Sequence, residues 1–148
     1  MIAIASDHGG YSLKEEIKAW LAGKGYEVRD FGCSGPKSVD YPDYGLPAAE
    51  AVASGECELG ILFCGTGIGM AITANKVHGI RAAVWTEPCS ARLAREHNDA
   101  NILTLGARIV GVELAKSTVE AWLDASFQGG RHAVRVGKIM EYELRESD

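Results

Sequence analysis

Short apolar runs alternate with amphipathic stretches along this chain, and that alternation is what most limits its fold. Ile2-Ala3-Ile4-Ala5-Ser6 has the length and apolarity of a buried strand. Residues 12–21 then place Leu13, Ile17 and Trp20/Leu21 at helical spacing, with Lys14 and Glu15 between them. Gly23 and Gly25 end that helix. Residues 26–31 alternate as a second strand, and residues 32–44 form a loop broken by Gly35-Pro36 and Tyr41-Pro42. A small-residue helix is expected over 47–54, a third strand over 59–63 and a helix over 70–77. Residues 79–85 read as strand four, and residues 87–97 as a helix capped by Thr86 with Pro88 in its first turn. Strand five covers 102–105, and an amphipathic helix covers 112–124. Gln128-Gly129-Gly130 breaks the chain before a highly charged helix over 131–146.

Strand–helix alternation implies a parallel sheet covered on both faces, an α/β fold. With no repeat or linker, residues 1–148 are expected to form one domain. Ligands of such sheets bind at the carboxyl ends of the strands, near a topological switch point. Two loops stand at those ends, Asp7-His8-Gly9-Gly10 and residues 64–69. A sheet ordered 2-1-3-4-5 would make them neighbours, with Asp7 and His8 facing Cys64 across one crevice.

Net charge is −5 and no long basic run occurs, which argues against a general nucleic-acid binder. A small anionic ligand needs only a few local arginines. No apolar stretch reaches membrane-spanning length, so no membrane partner is expected. A strand beginning at Ile2 leaves no room for a targeting segment. Cys33, Cys57, Cys64 and Cys89 form no CxxC pair, so zinc is not expected and free thiols in a reducing cytoplasm are.

The chemically suggestive segment is Cys64-Gly65-Thr66-Gly67-Ile68-Gly69, which follows the third strand. Glycines let the backbone approach a ligand closely. Backbone N–H groups at a helix start favour a thiolate and can hold an oxyanion. A core thiol is the competing reading for Cys64. The glycine run is a weak dinucleotide fingerprint: Gly65 and Gly67 fit, but Met70 occupies the third glycine position. Glu87 lies near the spacing of a ribose-binding acid, although an anion-binding nest is the simpler reading. His97, at a helix end, suits either a cap or an acid–base role. Arg131 and Arg135 share a helix face and suit a phosphate, or else a solvated surface. Arg108 stands at another strand end.

Together, Ser6-Asp7-His8-Gly9-Gly10, Asp40-Tyr41-Pro42, the Cys64–Gly69 loop, Ala74-Asn75-Lys76 and Gly79-Ile80-Arg81-Ala82 resemble the type B ribose-5-phosphate isomerase family. His97-Asn98, Gly106-Ala107-Arg108 and Gly129-Gly130-Arg131-His132 with Arg135 extend the likeness over nearly the whole chain. The resemblance implies a three-layer αβα sandwich with a Rossmann-like, five-stranded parallel sheet. It also implies a homodimer with shared sites, the helix over 131–146 contributing to the interface, and no cofactor or metal. The implied reaction interconverts ribose 5-phosphate and ribulose 5-phosphate through an ene-diolate.

By matching positions, Cys64 is the proton-transferring base, Thr66 polarises the reacting end, and Gly65, Gly67, Ile68 and Gly69 line the anion hole. His97 opens the furanose ring, with Asp7 beside the ring or its hydroxyls. Asn98 binds sugar oxygens, and His8, Arg108, Arg131 and Arg135 hold the phosphate, some from the partner subunit. Tyr41 lines the pocket. A branch of the family that uses a glutamate base has it where this chain has Met70. Rival expectations are a hexose 6-phosphate substrate (allose or galactose 6-phosphate), a Cys64/His97 thiol hydrolase and a nucleotide-binding module without catalysis.

Overall fold

The computed structural model describes residues 1–146. Five parallel strands form one sheet: β1 (Ile2–Ser6), β2 (Val28–Asp30), β3 (Leu59–Cys64), β4 (Ala82–Val84) and β5 (Ile102–Gly106). Six helices connect and flank them: α1 (Tyr11–Gly23), α2 (Pro42–Ala53), α3 (Ile68–Ala74), α4 (Pro88–Asn98), α5 (Val112–Asp124) and α6 (Arg131–Glu146). Apolar residues on β1, β3 and β5 alternate between two cores. Ile4, Ile61, Phe63, Leu103 and Leu105 pack with α1, α4 and α5. Ala3, Ala5, Leu62, Cys64 and Ile102 pack with α2 and α3. The second core is alanine-rich, so α2 and α3 seat close to the sheet with little side-chain bulk between.

The strand order is β2-β1-β3-β5-β4, not 2-1-3-4-5. Burial explains the exchange. All of β5 is buried and needs a neighbour on each side, while β4 is three residues long and partly exposed, as befits an edge. The Asn75 amide extends this edge, donating to Ala82 O and accepting from the Ala82 N–H, both at 2.8 Å. The fourth strand, expected over 79–85, is confined to Ala82–Val84. The second strand shortens likewise, to Val28–Asp30.

Other boundaries move for local reasons. Helix α2 starts at Pro42, whose fixed φ suits a first turn, and Pro47 is tolerated inside it. Helix α4 is capped by Glu87, not Thr86: its carboxylate accepts the Cys89 and Ser90 N–H groups at 2.7 Å each. Those bonds, with one from the Ser90 hydroxyl first among them, hold the Glu87 carboxyl below the usual range. A capping carboxylate is committed, which removes Glu87 from the ribose-acid reading.

Lys14 is fully buried, with no solvent exposure. Its ammonium donates to Asp30 Oδ1 and Oδ2 at 2.9 and 3.0 Å and to Cys33 O at 2.6 Å. This ties α1 to the chain leaving β2. Burial pushes the Asp30 carboxyl up, but the bonds from Lys18, Lys14 and the Gly32 N–H outweigh it and hold it below its ordinary value. A lowered carboxyl stabilises the fold above its unfolded value near pH 4, and the benefit goes as pH falls through the folded value. Asp30→Ala is expected to cost about 2–3 kcal/mol at pH 7. Denaturant melts should show the variant and wild type converging below about pH 4.

Candidate active site

The carboxyl ends of β1, β3 and β5 meet at one place. Cys64 ends β3 and is 4% exposed. The chain turns at once, and the Gly67 N–H donates to Cys64 Sγ at 3.1 Å. Gly67 has φ +81°, and a Cβ there would lie 3.0 Å from the Leu105 carbonyl carbon. Both facts require glycine. From β5, the Thr104 hydroxyl donates to Gly67 O at 2.7 Å. Gly106 lies under the loop, where a Cβ would meet the Thr66 backbone at 2.5–2.6 Å. The Ala107 and Arg108 N–H groups donate to Cys64 O and Gly65 O at 2.9 and 3.0 Å. The corrected strand order therefore sets β5 directly against the loop.

Asp7 is buried, and its Oδ1 accepts the Gly10 N–H at 3.0 Å. A Cβ on Gly9 would lie 3.4 Å from Gly65 N, so the loops after β1 and β3 touch. His8 Nδ1 accepts the Val39 N–H at 3.2 Å, so a neutral His8 carries its proton on Nε2. The Tyr41 ring covers Gly69, where a Cβ would come within 2.7–3.1 Å of ring atoms. Arg108 lies over Gly65, its Cδ, Nε and Cζ at 3.5–3.6 Å from the equivalent point. Asp7, His8, Val39, Tyr41 and Asp43 border an open cleft of about 470 Å³. Thr66 and Ile68 are exposed on the loop after β3. Of the sequence-predicted residues, Asp7, His8, Tyr41, Cys64, Gly65, Thr66, Gly67, Ile68, Gly69 and Arg108 thus share one edge.

His97, Asn98, Arg131 and Arg135 do not join them. Helix α4 runs back against the strand direction and ends at Asn98, just before β5 begins. His97 is therefore separated from Cys64 by the length of β5, about 13 Å for five strand residues. The Gln128 N–H donates to Glu96 O at 2.9 Å, which starts α6 beside the end of α4. The His97 and His132 rings stack with centroids 4.1 Å apart and planes 9° apart. Burial, then His97, Arg131 and Arg135, push the His132 imidazole below its usual value. Arg131 and Arg135 are exposed on the first turns of α6. A Cys64/His97 pair is not formed within one chain.

Sequence reading missed Val39, Thr104, Gly106 and His132 as site residues. Thr104 carried a signal, a hydroxyl in a wholly buried apolar strand. Met70, the would-be third glycine, is buried, with its sulfur 2.7 Å from where a Gly45 Cβ would be. Among the described residues, no three His, Cys, Asp or Glu side chains converge as metal ligands. Gly106→Ala is expected to displace the Thr66 backbone and cost about 1–3 kcal/mol. Thermal unfolding checks this, and an unchanged melting temperature would mean the loop yields freely.

Comparison with known proteins fits this geometry. Residues 2–139 match the model of the Ribose/Galactose Isomerase family. Ribose-5-phosphate isomerase B of Escherichia coli (strain K12) is 52% identical, covering 99% of this chain and 98% of its own. D-erythrulose-4-phosphate isomerase of Pectobacterium atrosepticum is 47% identical, over 98% of this chain and 96% of its own. The solved ribose-5-phosphate isomerase B of Clostridium thermocellum superposes with a TM-score of 0.96 at 63% identity, over 98% of each chain. The full-length match and the shared fold place this protein: the chain belongs to the ribose/galactose isomerase family.

Proposed function

We propose that this chain is an aldose–ketose isomerase that interconverts ribose 5-phosphate and ribulose 5-phosphate. The observation that carries the reading is the Cys64 sulfur held on the Gly67 N–H, inside a glycine loop flanked by Asp7, Tyr41 and Arg108. The reaction moves one proton between C2 and C1 through an ene-diolate. It needs a base that takes and returns that proton, and a fixed stabiliser for the oxyanion. Cys64 is the base. The Gly65–Gly69 loop faces the oxyanion through its N–H groups, those of Gly67 and Ile68 being shared with Cys64 Sγ and Thr66 Oγ1, and Thr66 bonds the reacting end. Asp7 contacts sugar hydroxyls, His8 and Arg108 bind phosphate, and Tyr41 walls the pocket.

Ring opening falls to His97, with Asn98 on sugar oxygens and Arg131 and Arg135 on the phosphate. Their place at the opposite sheet edge supports a homodimer in which each site takes this set from the partner. Apolar side chains exposed on α3 (Ile68, Ile72) and α6 (Val134, Ile139, Tyr142, Leu144) support such pairing. The domain is single over the described residues, 1–146, and works in the cytoplasm.

A second reading follows from the Pectobacterium relative. A tetrose 4-phosphate has O4 esterified and cannot close a furanose ring, so it needs no ring-opening acid. Hexose 6-phosphates remain the other substrate class to test. Turnover across four-, five- and six-carbon sugar phosphates ranks these readings, and ribose 5-phosphate should give the highest kcat/KM.

Cys64→Ala should abolish isomerisation while ribose 5-phosphate still binds in calorimetry; near-wild-type turnover would sink the base assignment. Subunit sharing has its own test. Mixing inactive Cys64→Ala chains with weakly active His97→Asn chains should raise activity to about a quarter of wild type, because half the dimers carry one intact site. No recovery after verified subunit exchange means that both residues serve the same chain's site.

A further inference from the structure

Arg81 stands where β4, α4 and α6 meet. Its Nε donates to Asn98 O at 3.2 Å and Asp99 O at 3.0 Å, and Nη2 pairs with Asp99 Oδ2 at 3.3 Å. Nη1 contacts Met140 Sδ of α6 at 3.3 Å. The other Asp99 oxygen, Oδ1, accepts from Arg95 Nη1 at 3.1 Å, and that same nitrogen donates to Ala100 O at 2.8 Å. Arg81 and Arg95 side chains are 19% and 16% exposed. The Arg81 main chain is fixed too, its N–H donating to Asn101 Oδ1 at 2.8 Å.

Asp99 is the only non-glycine among the described residues with positive φ, at +48°. It ends α4 in the left-handed conformation, and the next N–H, that of Ala100, returns to Ala94 O at 3.1 Å. Glycine is the usual residue for this turn. An aspartate adds a carboxylate that two guanidinium groups grip from opposite sides. The gripped turn directly follows His97 and Asn98.

The geometry points to Arg81 and Asp99 as positioning residues that clamp the end of α4 and so aim His97 at the substrate. The inference rests on the isomerase reading of the two sheet edges. Two-sided pairing fixes the rotation of the last helical turn as well as its place. A free glycine turn would let that turn swing, and an error of about 1 Å in an acid–base group can cost on the order of 100-fold. The clamp also gives a role to Arg81, in a segment that carries no group for the chemistry itself.

Asp99→Gly separates the turn from the clamp, because glycine adopts φ +48° without strain. The variant should stay folded and keep the wild-type assembly state in sedimentation. On ribose 5-phosphate its kcat should fall about 10–100-fold, with KM changed less than about threefold. Arg81→Lys, which keeps the charge but loses the fork, should show the same split. In a His97→Asn background, Asp99→Gly should lose most of its effect, because both changes act through one group. Wild-type kcat in folded Asp99→Gly overturns the clamp, as does the same fold-loss in both backgrounds. A wild-type chain inactive on ribose 5-phosphate, or a silent His97→Asn, overturns the isomerase reading beneath it. Those two controls tell one failure from the other.

Discussion

Parallel strands have a polarity, and everything else in this molecule follows it. Every strand delivers its carboxyl end to one edge of the sheet, and every returning helix delivers its own end to the other. Cys64 and its loop occupy the first edge because β3 ends there. His97 occupies the second because α4 runs back. No loop rearrangement of a few residues spans the length of β5 between them. In the pairing proposed, the chain holds two chemically distinct half-sites, one rich in backbone N–H groups and one rich in imidazole and guanidinium.

The first half-site is built by close approach more than by side chains. Gly9 against Gly65, Gly106 against Thr66 and Gly69 beneath Tyr41 let three loops share a space that one Cβ would fill. Thr104 then pins the loop from below. Such a site is stiff because its walls are strands and backbone, and a preorganised oxyanion site needs that stiffness. The second half-site is built from long side chains at helix ends. It needs a different source of order, which ion pairing around Asp99 supplies.

Much of this was legible in the sequence. Apolar runs located all five strands, and the segments at 112–124 and 131–146 matched their helices. The loop pair after β1 and β3 could be named before any coordinates. What could not be read was lateral order, since periodicity reports which face a residue takes and not which strand lies beside it. The exchange of β4 and β5 depends on burial on both sides of β5, a property of the whole sheet. Glu87 as a cap was hidden because a glutamate seldom caps a helix, and Thr86 beside it is the commoner choice. The separation of Cys64 from His97 already followed from the polarity of a parallel sheet, but that it runs along β5 itself depends on β5 lying beside β3.

The separation of the two edges also bears on how activity depends on amount. In the pairing proposed for this chain, a lone subunit holds every residue type the reaction uses and completes no site. Catalysis would then rise with the square of subunit concentration at high dilution and linearly once dimers predominate. Expression level, not sequence alone, would decide whether a weakly pairing variant looks dead or merely dilute.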